Sequence, residues 1–132
     1  MAAASYPDDL LYHAEHDWAR IEPDPTHPHA TLGITWYAQD ALGEVVFCEP
    51  PPVGTTLTQD EPYAEVESVK AVSDVIAPLS GEIVAVNDAL TDAPEAINDD
   101  PYGAGWLVKV RLADPSEAET LMDADAYVAS LV

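Results

Sequence analysis

The sequence predicts a small, mainly β fold: a sandwich or barrel of short strands carrying a few short helices. Three observations lead there. Eight short segments are rich in β-branched or aromatic residues, prolines and glycines punctuate them at close intervals, and helix signals occur in only three places. A chain of 132 residues suffices for one compact core and not for two, so a single domain over 1–132 is expected.

The predicted strands are 18–22, 31–34, 45–49, 55–57, 63–69, 72–77, 82–87 and 106–112. Pro23, Pro25 and Pro28 separate the first two, and Pro50, Pro51, Pro52 and Gly54 separate the third from the fourth. Pro62, Pro78 and Gly81 bound the next, and Pro94, Pro101, Gly103 and Gly105 fill the approach to the last. Proline has no N–H to give to a ladder, so these positions mark boundaries. A helix is predicted over 36–42, with Thr35 as N-cap and Gly43 as a left-handed stop. A second begins at Asp114, where Pro115 suits the first helical position and Glu117 completes a capping-box pattern. A third, from Asp123, would turn Ala126, Val128, Ala129 and Leu131 toward the sheet.

Charge and composition then exclude several kinds of partner. Lys and Arg total 4 against 25 Asp and Glu, and a net charge of -21 repels phosphate backbones and anionic lipid. Neither nucleic acid nor a membrane is expected. The acidity reads first as the mark of a salt-adapted or GC-rich source. At 48% hydrophobic, the chain lacks the low-hydrophobicity half of the disorder signature and should fold. No apolar run approaches about 18 residues, and the first residues lack the pattern of a secretory signal or presequence, so a cytoplasmic protein is expected. Cys48 is the single cysteine, which removes an intramolecular disulfide and a zinc knuckle. His13, His16, His27 and His29 lack ligand spacing, so no metal is expected. With no nucleophile–base pair and no phosphate-cradling glycine loop in view, catalysis by the chain itself is not expected. Its short apolar segments fit one small core, and a monomer is expected.

Two lysines stand in different settings. Lys109 alternates with apolar neighbours in a predicted strand, an ordinary solvated position. Lys70 lies between two arms framed by Pro62 and Pro78, each eight residues away. On the first arm Ala64 and Val66 alternate with Glu65 and Glu67, the period-two pattern of a strand with one wet face. Val69 and Lys70 are not the residues of a primed two-residue hairpin, the weak link in this reading, but a type I turn over 68–71 is allowed, with Lys70 exposed at its tip. On these grounds alone the lysine could simply be a solubilising charge.

The string ESVKAVSD, residues 67–74, resembles the lipoyl-attachment motif of the glycine cleavage H-protein family. The resemblance covers most of the chain. HDW at 16–18 is similar to that family's His-Glu-Trp, and GITWYAQDALGEVVF at 33–47 to its helix-and-strand signature. APLSGEIVAVN at 77–87 resembles the segment after the modified lysine, and PEAINDDPYGAGWLVKV at 94–110 the C-terminal signature. Departures are Trp36 where the family commonly has Asp, Ala85 where Glu is common, and the lengthened loop at 23–29. These bear on docking of partners rather than on the lysine.

The resemblance implies a lipoyl/biotinyl-type flattened β-barrel, a barrel-sandwich hybrid, with Lys70 carrying lipoic acid in amide linkage. Such an arm reaches about 12 to 14 Å, so the carrier can stay folded while the dithiolane visits other proteins. It also implies partners: the glycine decarboxylase P protein, which loads an aminomethyl group; the aminomethyltransferase T protein, which removes it; dihydrolipoamide dehydrogenase, the L protein, which reoxidises the dithiol; and a lipoylating enzyme. Glu67 is either a solvated strand residue or a recognition element for that enzyme. Gly43 is sufficiently explained as a helix cap, and its missing side chain could also let the enzyme or the arm approach. Asp17 stands where the family usually has Glu, and a carboxylate in a cleft there could pair with the amine of the loaded arm. The alternatives are a biotinyl or lipoyl carrier of another complex, and an H-like protein that donates lipoate or regulates. Met does not flank Lys70 as in biotin carriers, and acyltransferase lipoyl domains lack the PYGAGW-type extension. Trp18, Trp36 and Trp106 are expected to pack or cover edges, Cys48 to be a small strand residue, and residues 98–103 to form a structural loop.

Overall fold

The computed structural model describes residues 5–22, 24 and 26–131. Pro23 and Pro25 of the predicted proline-rich loop, and the first four residues of the N-terminal segment, lie outside the described residues. Among the described residues nine strands form two antiparallel sheets: β1 (Leu11–His13), β2 (Asp17–Glu22), β3 (His29–Ile34), β4 (Val45–Cys48), β5 (Thr56–Leu57), β6 (Pro62–Ser68), β7 (Val72–Ile76), β8 (Gly81–Val86) and β9 (Val108–Leu112). The larger sheet runs β1-β2-β3-β9-β8-β5 and the smaller β4-β6-β7. The eight predicted strands are present with ends shifted by a residue or two; β1 is additional. Three residues cannot display a two-residue period, so it left no pattern to read.

The sheets meet over one apolar core. Ala19, Leu32, Ile34 and Val110 come from the larger sheet, and Val45, Val66 and Val75 from the smaller. Side chains from both inner faces therefore fill one layer, the flattened sandwich that the sequence implied. Asp17, Trp18 and Ala19 are buried in succession because β2 is covered on both faces. Ala19 joins the main core, whereas Trp18 enters a second cluster with Leu10, Tyr12, Tyr102, Ala124 and Tyr127. A Cβ on Gly33 would lie 2.6 Å from the Trp18 ring, so only glycine lets the indole settle across β3. Its Nε1 donates to the Pro101 carbonyl at 3.0 Å.

The helices are α1 (Trp36–Leu42), α2 (Ala89–Asp92), α3 (Ala96–Asp99) and α4 (Ala124–Ser130), with a 3-10 segment at Pro115–Thr120. At α1 the predicted cap forms, Thr35 Oγ1 accepting from the Ala38 N–H at 3.2 Å. Gly43 donates its N–H to Gln39, but its φ of 80° with ψ of -156° is not the left-handed cap predicted. It is a more extended mirror region that is essentially restricted to glycine. The Asp114 segment is tighter than a predicted α-helix, and Glu117 does not close a capping box. Its carboxylate accepts instead from the Ser80 N–H at 2.8 Å and hydroxyl at 2.9 Å, donors that a distant loop brings to it. The orientation predicted for α4 is also corrected. Ala124 and Tyr127 are its buried residues, while Ala126, Val128 and Ala129 face outward; of the expected inward set only Leu131 packs inward, half-buried against the second cluster. Tyr127 stacks on Tyr12 at 4.8 Å between centroids, and that aromatic contact outweighs the small apolar stripe. α2 and α3 have four residues each, too short for helical periodicity, and are anchored by Leu90 and Ile97. No helix among the described residues is long and apolar enough to cross a membrane.

Candidate functional site: a lysine tip beside two hollows

β6 and β7 pair antiparallel, Glu67 opposite Val72, and the chain reverses over Val69 and Lys70. Pro62 is the first residue of β6, where its missing N–H costs least. Neither tip residue has a positive φ, so the reversal is not a primed turn. Ser68 closes it. Its N–H donates to the Ala71 carbonyl at 2.8 Å, and its buried hydroxyl accepts from the Ala71 N–H at 3.1 Å. The Val69 N–H donates to the Glu44 carbonyl at 3.0 Å, tying the tip to the chain after α1. Lys70 is exposed, and its Cε and Nζ lie 3.5 and 3.9 Å from the position a Gly43 Cβ would take. The lysine stem therefore passes over the glycine that ends α1.

α1 is a wall between two hollows. On one side Gln39, Asp40 and Gly43 border a cavity of about 640 Å³ whose rim also carries Glu44, Glu95 and Asp99. On the other side Tyr37, Ala38, Ala41 and Leu42 border a cleft of about 320 Å³ that reaches Asp17. Ala71, adjacent to Lys70, lines this cleft, so its mouth begins one residue from the tip. Asn98 fixes the wall. Its amide donates to Gln39 Oε1 and to the Gly43 carbonyl, both at 2.9 Å, while its Oδ1 accepts from the Val45 N–H at 2.8 Å. Of the loop expected over 98–103, Asn98 and Asp99 instead close the short helix α3, which places Asn98 to hold the floor under Lys70.

Asp17 begins β2 and is 2% exposed. Its Oδ2 is buried with no hydrogen-bond partner among the described residues. Burial raises its pKa well above the ordinary carboxylate range, and neighbouring Glu15 adds to the rise. His16, set aside in the sequence as an unsuited metal ligand, also lines the cleft. It has a φ of 73°, its Nδ1 is 2.8 Å from the Tyr127 hydroxyl, and its ring stands 4.5 Å from that of Tyr37. Burial lowers its pKa. Tyr127 also reaches Thr35 Oγ1 at 2.8 Å, so α4, the β1–β2 turn and the start of α1 share one hydroxyl. Only the HDW string pointed toward His16; nothing local pointed to Tyr127.

The remaining candidates separate. Glu67 is exposed on β6, three residues before the tip. Cys48 is buried in β4, where desolvation pushes its thiol up to about 12, an inert strand residue as expected. The four histidines do not gather: His13 bonds Asp60 at 2.6 Å, His29 starts β3, and His27 lies in a bend. Trp36 and Trp106 pack against the second aromatic cluster, as expected.

The sequence profile described as glycine cleavage H-protein matches residues 10–132. A glycine cleavage system H protein of Enterobacter sp. (strain 638) is 53% identical over 128 residues, 97% of each chain. That of Cronobacter sakazakii is 51% identical with the same coverage. A crystal structure of a glycine cleavage system H protein from Mycobacterium marinum superposes with a TM-score of 0.81 at 43% identity, covering 95% of this chain and 98% of that one.

Proposed function

Because the chain belongs to the glycine cleavage H-protein family, we propose that Lys70 is the residue that carries lipoic acid in amide linkage and that the cleft bordered by Asp17 receives the loaded arm. The chain is a lipoyl carrier of glycine cleavage: the dithiolane supplies the chemistry, taking the aminomethyl group of glycine from the P protein to the T protein and returning to the disulfide through the L protein. The protein supplies position. The observation that carries the reading is the placement of Lys70, exposed on a closed tip, with a glycine under its stem and the cleft starting at the next residue. An amide on Nζ removes a charge that no ion pair among the described residues uses, so acylation breaks none of them. An arm of about 12 to 14 Å is long enough both to lie in the cleft and to extend into solvent.

Ser68 holds the tip in shape, Asn98 and Gly43 keep the surface beneath it open, and Asp17 offers the cleft's buried carboxyl. Glu67, exposed on the same strand, is the element read by the lipoylating enzyme. The chain catalyses none of the steps: its one thiol, Cys48, is buried and neutral. In this reading the chain is one domain over 1–132 acting in the cytoplasm, a monomer because its short apolar segments fit one small core. Intact mass and peptide mapping after expression in a lipoylating host test the anchor, with one lipoyl group expected on Lys70. In a reconstituted mixture with the P protein, the lipoylated chain should support glycine–bicarbonate exchange and Lys70→Arg should not. Full exchange by that variant would refute the assignment.

A further inference from the structure

The cleft contains a buried acid that no cation among the described residues faces. Asp17 stands opposite His13 on β1 and Ile34 on β3, and its Oδ2 has no partner. The groups around it supply no cation. Glu15 on the β1–β2 turn and Asp74 on β7 are acids at the same cleft. His13 is engaged with Asp60, and His16 with Tyr127. Tyr37 of α1, Tyr63 of β6 and Tyr127 of α4 are phenols, and burial raises the pKa of Tyr63 and of Tyr127. Arg20, the nearest arginine along β2, donates to the Tyr102 carbonyl at 3.0 Å with its guanidinium 5.2 Å from the centre of the Trp18 ring. Ion pairs among the described residues are His13–Asp60 and Arg111–Glu82, neither involving Asp17. A buried carboxyl without a counter-ion keeps its proton.

Resting on the reading of this cleft as the berth of the loaded arm, we propose that capture works by exchange: an alkylammonium group arriving beside Oδ2 displaces the carboxyl proton to solvent and leaves a carboxylate–ammonium pair. The balance is simple. One O–H bond of Asp17 breaks, its proton goes to water, and the cargo keeps all of its own protons. No electrons move. Two consequences follow from the chemistry. An uncharged arm meets a neutral acid and gains no ion pair, so the berth selects for cargo by charge. Once the pair forms, the carboxylate holds the amine in its protonated form, and a nitrogen whose lone pair is bound to a proton cannot expel the neighbouring sulfur. Docking then strengthens about tenfold per pH unit while the carboxyl is protonated and the amine charged.

The test follows the Asp17 side-chain carboxyl carbon by NMR in 13C-labelled, lipoylated protein, from about pH 4 to about pH 9, before and after loading with glycine by the P protein. The expected result is a midpoint above the ordinary carboxylate range before loading, lowered by at least about one pH unit, a tenfold change in proton affinity, after it. Adduct lifetime is read in parallel for the wild type, Asp17→Asn and Asp17→Glu. If Asp17→Asn shortens the lifetime while the wild-type midpoint is the same loaded and unloaded, or already ordinary when unloaded, the exchange is refuted and the berth stands. If both variants match the wild-type lifetime, the berth fails and the exchange with it.

Discussion

Lys70, one residue from the mouth of the cleft, and Asp17, on its wall, stand in opposite physical situations. The lysine stands in water at the end of a two-strand arm of the smaller sheet, with Val69 67% and Val72 59% exposed beside it. The aspartate is 2% exposed in the larger sheet, with no hydrogen-bond partner for its Oδ2 among the described residues. One group is placed so that its chemistry can change without the fold noticing, the other so that any change in its charge is felt by the fold. A carrier needs both: an anchor indifferent to what hangs from it, and a wall that responds to what the arm brings.

That contrast can be broken at either end. The largest effect is expected at the anchor, where Lys70→Arg should abolish attachment and all carrier activity while changing stability by no more than about 0.5 kcal/mol, as read by urea unfolding. A large loss of stability would show the tip to be structural. Beneath it, Gly43→Ala must force a side chain into φ 80° and ψ -156°, costing about 1–3 kcal/mol. The added Cβ would meet Lys70 Cε at 3.5 Å, an ordinary contact, so mass spectrometry should still find Lys70 modified in the folded fraction. Unmodified, stable variant protein would mean that the glycine is read by the enzyme and not required by the backbone.

At the aspartate the sign comes from linkage. Burial raises the folded-state pKa of Asp17 above the ordinary carboxylate range, so the native state holds this proton more tightly than the unfolded chain does. Stability therefore falls as pH rises from about 4 toward the raised value. Asparagine cannot ionise, so Asp17→Asn should match the wild type near pH 4 and exceed it by about 1–3 kcal/mol near pH 8, measured as unfolding midpoints. A constant difference across that range would mean that the carboxyl is not strained by its burial. The smallest effect is expected from Tyr127→Phe, which removes the hydroxyl shared by His16 and Thr35 and should cost about 0.5–1.5 kcal/mol in thermal unfolding.

Much of this architecture was legible along the chain, and the failures are instructive. The Ala64–Glu67 alternation located β6 and the lysine beyond it because one face of that strand is wet. β2 offered no such alternation: with Asp17, Trp18 and Ala19 all buried, its two-sided covering is invisible to a period-two reading. For α4 the small apolar residues pointed one way, and Tyr127, stacked on Tyr12, turned the helix the other. Glu117 shows the same thing for caps, since its local pattern matched a capping box and Ser80 offered it better donors.

Local pattern was sufficient for every strand position but β1, the α1 N-cap, the exposed lysine and, through long ordered motifs, the family. These depend on interactions within a few residues or on a string that survives as a unit. Packing of distant segments decided the rest: that α1 divides two hollows, that Asn98 supports the ground under Lys70, that His16 is held by a helix more than a hundred residues away, and that Asp17 has no counter-charge. A missing partner is a property of everything that surrounds a group, and no stretch of neighbouring residues contains that information.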